Sequence, residues 1–226
     1  MATGWVKEGA SWYHYGSSGA MPTGWVKTGG AWYYLDPETG AMQVGKRAID
    51  GATYIFDSSG AMKTGWSKEG AVWCHYGSSG AMTTGWVKTG GAWYYLDPET
   101  GAMQVGKRTI DGVNYFFVGS GAMATGWVKE GASWYHYGSS GAMTTGWIKP
   151  DISWYYLDPE TGVMQVGKRT IGYNTYHFDS SGAMRTGWVK EGSNWCCYGT
   201  TGILQKNTWI SGKYWVDADG IMTASK

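Results

Sequence analysis

Tryptophan recurs along the 226-residue chain in two regularly spaced sets, and these indole rings are the side chains best suited to bind a ligand. The first set belongs to Gly-Trp pairs, at Trp5, Trp25, Trp66, Trp86, Trp127, Trp147 and Trp188. The second set follows seven residues later, at Trp12, Trp32, Trp73, Trp93, Trp134, Trp154 and Trp195. Aromatic faces attract cations and offer apolar surface, so grouped rings could bind an organic cation. The same rings could instead pack as a core.

Acidic, histidine and cysteine residues give no pattern typical of catalysis or of a metal site. The glutamates recur at one repeat position, at Glu8, Glu69, Glu130 and Glu191, which indicates turn chemistry. The histidines His14, His75 and His136 are too widely spaced for one metal site. The three cysteines are an odd number, which argues against a disulfide framework or a four-ligand zinc site. We therefore expect no catalytic residue, no metal and no cofactor.

The composition narrows the class of protein further. With 38 glycines, 16 tryptophans and 17 tyrosines, it favours a repeat over a single packed core. A formal net charge of +1 argues against a nucleic-acid partner, which would need a basic surplus. No apolar run is long enough to span a membrane. The chain begins inside a repeat without a secretory leader, so we expect residues 1–226 to be one repeat domain from a larger protein.

The repeat has a step of 20 or 21 residues, which gives about eleven units. At Lys46, Lys107 and Lys168 a Gly-Lys pair replaces Gly-Trp. Each unit contains two short strand patterns separated by glycine turns, and no segment has helical periodicity. Because one hairpin is marginally stable in water, we predict an all-β solenoid of stacked hairpins.

Strand alternation predicts which side chains form the core. In the first unit Trp12 and His14 should lie on one face, and Tyr13 and Tyr15 on the other. The Tyr15 position is apolar in later units, at Leu35, Phe56, Leu96, Phe117, Leu157 and Phe178. We expect this row, the Tyr13 and Tyr33 row, and the methionine that closes each unit to pack between hairpins.

The segment TGWVKTGGAWYYLDPETGAM resembles the choline-binding, or cell-wall-binding, repeats of Gram-positive surface proteins, autolysins and phage lysins. The segment GKRTIDGVNYFF is more similar to the related repeats of clostridial toxins and glucan-binding modules. The resemblance implies a left-handed superhelix with about three hairpins per turn. It also implies that choline binds between consecutive hairpins, in a box formed by the two tryptophans of one unit and the last aromatic of WYY in the next.

Applied along the chain, this rule sorts the junctions between units into three kinds. Complete boxes are expected at Trp5, Trp12 and Tyr34; at Trp66, Trp73 and Tyr95; at Trp127, Trp134 and Tyr156; and at Trp188, Trp195 and Trp215. Variable boxes combine Trp25 and Trp32 with Ile55, Trp86 and Trp93 with Phe116, and Trp147 and Trp154 with His177. Junctions after Lys46, Lys107 and Lys168 should be empty, with His75, His136 and Cys197 at the third wall.

Equivalent junctions recur every 61 residues, as from Trp5 to Trp66, so three hairpins per turn would stack the complete boxes in one column. The Gly-Lys units would then form a ridge of Lys-Arg pairs, which could contact phosphates or only face solvent. Glu38 and its equivalents could hold a surface cation loosely.

These patterns predict a non-catalytic module that binds choline or phosphocholine on teichoic or lipoteichoic acid at the bacterial cell surface. A carbohydrate-binding module for glucan or a host glycan is the first alternative, because tryptophans also stack on sugars, but sugar sites need polar neighbours that the boxes lack in sequence. A structural stalk with purely packing tryptophans is the second, and it would bury every indole edge. A catalytic or adhesin domain could lie outside these residues.

Overall fold

The protein is all β in the computed structural model, which describes residues 2–226. Its strands are β1 (Gly4–Glu8), β2 (Ser11–Tyr15), β3 (Gly24–Thr28), β4 (Ala31–Leu35), β5 (Gly45–Ile49), β6 (Ala52–Phe56), β7 (Gly65–Glu69), β8 (Val72–Tyr76), β9 (Gly85–Thr89), β10 (Ala92–Leu96), β11 (Gly106–Ile110), β12 (Val113–Phe117), β13 (Gly126–Glu130), β14 (Ser133–Tyr137), β15 (Gly146–Ile148), β16 (Tyr155–Leu157), β17 (Gly167–Ile171), β18 (Asn174–Phe178), β19 (Gly187–Glu191), β20 (Asn194–Tyr198), β21 (Thr208–Ile210), β22 (Tyr214–Val216) and β23 (Met222–Ser225).

Consecutive strands pair as antiparallel hairpins, and the last hairpin gains β23 as a third strand. The eleven hairpins within residues 2–226 confirm the predicted repeat architecture. Nine of these hairpins have two-residue turns, which contain a residue in the left-handed backbone conformation that matches the twist of the strands. In the hairpin of β5 and β6, for example, Asp50 and Gly51 have φ values of 51° and 79°.

Register divides each hairpin into two faces. In the first hairpin Trp5 pairs with His14, and Lys7 pairs with Trp12. Because directly opposite residues point to the same side of a sheet, these four side chains share one face. Val6 pairs with Tyr13, and both lie on the opposite face together with Tyr15.

The predicted apolar row forms the core. Its members Leu35, Phe56, Leu96, Phe117, Leu157 and Phe178 are buried. Tyr76, Tyr137, Tyr198 and Val216 hold the same position in other hairpins and are buried as well. A hairpin that could not bury enough surface alone therefore does so against its neighbour.

One backbone hydrogen bond links each hairpin to the one before it. The amide of Met42, which follows the second hairpin, donates to the carbonyl of Trp12 in the first at 2.8 Å. Met62 donates to Trp32 and Met103 to Trp73 in the same way, at 2.8 and 2.7 Å. Six closing methionines are thus fixed beside a tryptophan of the preceding hairpin, whereas Met82 and Met143 donate to Thr53 and Asn114.

The described chain divides into two compact units. The first comprises the residues up to Gly106 together with Phe117–Met123. The second comprises Lys107–Phe116 together with Ala124–Lys226. Within each unit the hairpins follow one another as a repeat solenoid.

Candidate functional site

Six of the Gly-Trp indoles pack against a tyrosine of the next hairpin. The six pairs resolved within the two units are Trp5–Tyr33, Trp25–Tyr54, Trp66–Tyr94, Trp127–Tyr155, Trp147–Tyr176 and Trp188–Tyr214, with ring centroids 4.7 to 5.5 Å apart. The second tryptophan of the hairpin completes the group. In the second hairpin, Trp25 and Trp32 meet edge to face at 6.4 Å. Trp86 and Trp93 meet likewise at 6.3 Å.

The third wall is therefore one residue earlier than predicted. The predicted residues Tyr34, Tyr95 and Tyr156 contact the tryptophan of their own hairpin, at 5.1 to 5.2 Å, and Trp215 contacts Trp209 at 5.6 Å. The reason is the alternation of faces. Tyr34 pairs with Trp25 and shares its face, whereas Tyr33 lies on the face of buried Leu35, which meets the preceding hairpin.

The predicted third walls of the variable boxes likewise lie away from the tryptophans of the preceding hairpin. Ile55 pairs with Lys46 on its own hairpin, Phe116 packs on Tyr137 at 6.0 Å, and His177 packs on Tyr198 at 5.8 Å. At the position one residue earlier, Tyr54 and Tyr176 supply aromatic walls to the tryptophans of the preceding hairpins. Tyr33 packs on Trp5 as expected, and its equivalents Tyr54, Tyr94 and Tyr176 also line cavities.

Open cavities lie between these walls, and a methionine forms their fourth side. A cavity of about 400 Å³ is lined by Trp25, Trp32, Tyr54 and Met62, together with Ser78 and Ser79. Equivalent cavities of about 270, 550 and 360 Å³ lie at Trp66, Trp147 and Trp188. The indoles of the second set are 39% to 43% exposed. Their edges are thus accessible to a ligand.

The turn of the hairpin after next borders three of these cavities. Met62 holds one such turn beside its cavity, because the Met62 side chain lines the cavity and also lies against Gly80 of the turn Gly77–Gly80. A Cβ built on Gly80 would stand 2.1 Å from the Met62 sulfur, and its φ is +82°, so only glycine fits. Ser78 and Ser79 consequently reach a cavity whose tryptophans are more than 45 residues earlier in the sequence.

At the Lys46 junction, an internal ion pair replaces the box. The Lys46 ammonium lies 3.1 Å from the Glu69 carboxylate of the next hairpin, and the Tyr76 hydroxyl donates to Glu69 at 2.6 Å. Burial alone would raise the pKa of Glu69, but the hydrogen bonds from Tyr76 and Lys46 outweigh burial and lower it. Lys168 and Glu191 repeat this pair at 3.0 Å, where His177 and Tyr198 also contact Glu191.

At the Lys107 junction, the aromatic wall is kept. The Lys107 ammonium lies over the Tyr135 ring, 4.9 Å from its centroid. Burial, with a contribution from Glu130, raises the pKa of Tyr137 to about 12. The Tyr137 hydroxyl is buried and has no hydrogen-bond partner among residues 2–226.

The predicted walls at the Gly-Lys junctions also shift by one residue. Cys74, Tyr135 and Cys196 stand at the positions that face Lys46, Lys107 and Lys168, instead of His75, His136 and Cys197. His75 contacts Trp66 of its own hairpin at 5.1 Å and Thr83 at 3.0 Å. Burial lowers the pKa of both His75 and His136. In the first of the Lys-Arg pairs, the side chain of Arg47 donates to Gln43 at 2.7 Å.

Among residues 2–226, no three His, Cys, Asp or Glu side chains are grouped closely enough to hold a metal ion. All three cysteines are buried and free. The same residues contain no helix long and apolar enough to cross a membrane.

Comparison with known proteins agrees with this geometry. A model of the choline-binding repeat matches residues 2–46, 63–107, 130–168 and 165–209. The structure is similar to CbpJ from Streptococcus pneumoniae TIGR4, with a TM-score of 0.83, 29% identity, and 98% of this chain and 94% of that chain covered.

Two other pneumococcal structures are similar as well. Choline binding protein F has a TM-score of 0.78 and 28% identity over 99% of this chain and 93% of its own. The choline-binding domain of CbpL has a TM-score of 0.64 and 25% identity over 81% of this chain and 99% of its own. A comparison with the curated proteins gave no match.

Proposed function

Because the chain belongs to the choline-binding repeat family, we propose that it is a non-catalytic module that attaches a protein to the Gram-positive cell wall. It binds the choline groups of teichoic or lipoteichoic acid in the boxes between consecutive hairpins. The residues proposed to contact choline are the two tryptophans of a hairpin and the tyrosine one place before the predicted third wall, as in Trp25, Trp32 and Tyr54.

The observation that carries this proposal is the exposed edge of each second-set indole beside two further aromatic rings. Trp32 is 42% exposed although its neighbours Trp25 and Tyr54 are partly buried. A stalk with purely packing tryptophans has no reason to leave these edges open. A trimethylammonium group cannot donate a conventional hydrogen bond, and aromatic faces attract it by about 0.5 to 2 kcal/mol each.

Repetition of the box suits a polymer that carries many cholines. Three aromatic faces give a weak site, with a dissociation constant on the order of millimolar. Several such sites on one module gain roughly two to four orders of magnitude in avidity when the ligand groups can be engaged together. Choline binding protein F has been solved in the presence of a peptidoglycan analogue, which agrees with a partner in the cell wall.

Choline titration tests the proposal, with the indole N–H signals of an isotope-labelled sample as the readout. We expect the signals of Trp32, Trp73 and Trp154 to shift at millimolar choline, and the variant Trp32→Ala to lose the response of Trp25. Trp209 serves as an internal control whose signal should not shift, because the Lys226 ammonium already lies 4.3 Å from its ring centroid. If no second-set indole responds up to tens of millimolar, or if glucan oligomers shift these signals more strongly than choline, the proposal is wrong.

A further inference from the structure

The Gly-Lys units share a second feature, a glutamine four places before an arginine. The pairs are Gln43 with Arg47, Gln104 with Arg108, and Gln165 with Arg169. The lysines of these units belong to the junctions between hairpins, where Lys46 and Lys168 pair with glutamates at 3.1 and 3.0 Å. Lys107 lies over the ring of Tyr135. The junctions and the aromatic boxes therefore leave the glutamine and the arginine without an assigned role.

Two of these arginines are each held in one orientation by two hydrogen bonds. The Arg47 Nε donates to the Gln43 side-chain oxygen at 2.7 Å, and the Arg47 Nη1 donates to the Lys46 carbonyl at 2.9 Å. The Gln43 side-chain amide donates in turn to the Ala41 carbonyl at 3.2 Å, which fixes the glutamine. Arg169 makes the same two bonds, at 2.8 and 2.9 Å. The orientation of the guanidinium is therefore built into the unit.

These bonds orient the guanidinium groups without neutralising their charge, because both acceptors are uncharged. Among residues 2–226, no carboxylate oxygen lies within 4.0 Å of Arg47 or Arg169, and both residues are exposed. Arg185 differs, since its guanidinium lies 3.7 Å from the Asp179 carboxylate. A guanidinium has five N–H donors, of which Arg47 uses two. The remaining donors are available to an external anion.

The oriented arginines lie beside the aromatic boxes and outside their cavities. Arg47 pairs with Tyr54 across its hairpin, and Arg169 pairs with Tyr176 in the same way. Directly opposite residues share a face, with Cβ atoms about 5 Å apart. Neither arginine lines the cavity to which the opposite tyrosine belongs. Most Gly-Trp hairpins have valine at this position, so the charge is a feature of the Gly-Lys hairpins.

From these contacts we propose that the Gln43–Arg47 and Gln165–Arg169 pairs bind phosphodiester groups in the backbone of an anionic polymer. Two N–H donors of a guanidinium match two oxygens of a phosphate group, and an arginine that is already oriented loses less conformational freedom on binding. The neutral glutamine supports this role, because a glutamate at that place would neutralise the arginine internally. These sites are separate from the choline boxes and bind a polymer that carries no choline. The polymer is assigned to the cell wall, and this assignment alone rests on the proposed function.

The arginine Nε–H signals of an isotope-labelled sample report this binding. The probes are inorganic phosphate and a glycerol phosphate polymer without choline, each compared with sodium chloride at the same ionic strength. We expect the signals of Arg47 and Arg169 to shift with both probes, with a dissociation constant on the order of tens of millimolar for phosphate. The polymer presents many phosphates and should bind roughly ten-fold more tightly. The signal of Arg185 should not shift, because Asp179 already pairs with it.

The variant Gln43→Glu tests whether the uncompensated charge is needed. The new carboxylate can accept from Arg47 and neutralise it, so phosphate binding at Arg47 should weaken by about ten-fold or more while binding at Arg169 is unchanged. Gln205→Glu is the matched control. Gln205 holds the same repeat position, its side-chain amide donates to a backbone carbonyl at 3.1 Å, and no arginine follows it four places later. Gln205→Glu adds the same negative charge and should leave binding at Arg47 unchanged, and circular dichroism checks that both variants are folded.

The outcomes separate this inference from the proposed function. If Arg47 and Arg169 respond no more to phosphate than to chloride, or if Gln43→Glu leaves the response of Arg47 unchanged, the inference is overturned while choline binding stands. If both arginines respond and no indole responds to choline, the phosphate sites stand and the proposed function fails. Phosphodiesters also occur in lipid headgroups, so phosphatidylglycerol vesicles are tested in parallel. A stronger shift with these vesicles than with the polymer would overturn the assignment to a wall polymer.

Discussion

The Lys107 junction should become a choline box when two residues are replaced. Its third wall is present as Tyr135, and the Met143 amide donates to the Asn114 carbonyl at 2.8 Å, as closing methionines do in existing boxes. Lys107 and Asn114 occupy the positions that hold tryptophan elsewhere. The double variant Lys107→Trp with Asn114→Trp therefore supplies the two missing walls.

The expected affinity follows from the rings. Removal of Lys107 costs one cation–π contact with Tyr135, about 0.5 to 1 kcal/mol. Three aromatic faces around the ligand then give about 2 to 4 kcal/mol, which corresponds to a dissociation constant from millimolar to tens of millimolar. We expect two new indole signals that shift with choline in this range, in parallel with those of Trp127 and Trp134.

The Lys46 junction provides the matched control. The variant Lys46→Trp with Thr53→Trp places the same two indoles, but Cys74 stands where Tyr135 does, and Glu69 loses its lysine partner. We expect weaker choline binding at these indoles and a less stable protein. The reasoning is refuted if the Lys107 variant is folded by circular dichroism, its native boxes respond, and its new indoles do not.

Three further predictions follow from single contacts. Tyr54→Ala should weaken choline binding at Trp25 and Trp32 about ten-fold, whereas Ile55→Ala should not, as measured by their indole shifts; equal effects would contradict the assigned third wall. In urea unfolding, Tyr76→Phe should lower the free energy of unfolding by about 1.5 to 3 kcal/mol, because it removes a hydrogen bond to Glu69. In the same assay, Tyr137→Phe should leave the free energy of unfolding unchanged or raise it by up to about 1 kcal/mol, because the Tyr137 hydroxyl has no partner among residues 2–226. The pKa of Glu69 is lowered from 4.5 in the folded chain, so the ionised Glu69 should stabilise the fold above that pH, and this effect should be lost as the pH falls through the folded pKa. The difference in unfolding free energy between Glu69→Gln and the wild type should therefore vanish in acid. A difference that persists in acid would contradict this cause.

The fold could be predicted from sequence because its signals are local. Glycine turns and alternating strands repeat every 20 or 21 residues, and the apolar row from Leu35 to Phe178 identifies the buried face. The two tryptophans of each box belong to one hairpin, so they too could be identified. These features depend on contacts within a repeat.

The third wall depends on how two hairpins meet, and there the prediction was one residue off. A signal was present in the alternation itself. The wall must share a face with buried Leu35, and Tyr33 does so whereas Tyr34 does not. The repeat position of Tyr33 is occupied by Cys74 and Cys196 after two of the Gly-Lys units. The sequence therefore also indicated that the aromatic ring is lost at two of the three Gly-Lys junctions.

The turn at the mouth of the box could not be inferred from neighbouring sequence. Ser78 and Ser79 reach Trp32 only because Met62 packs between Trp32 and Gly80. Three successive repeats are needed for this contact. Polar neighbours of the tryptophans were therefore missed, although they are present in space.

Where the preceding hairpin carries two tryptophans, the hydrogen bond from the closing methionine to the second of them affects how the hairpins separate under force. Met62 and Trp32 form both this bond and two walls of one box. A pulling force that peels one hairpin from the next must break that bond and open the box at the same place. A ligand that binds only the closed junction raises the work of peeling, as any ligand specific to the folded state must. Tension on a cell wall would thus be resisted most strongly where the module is loaded with the wall's own choline.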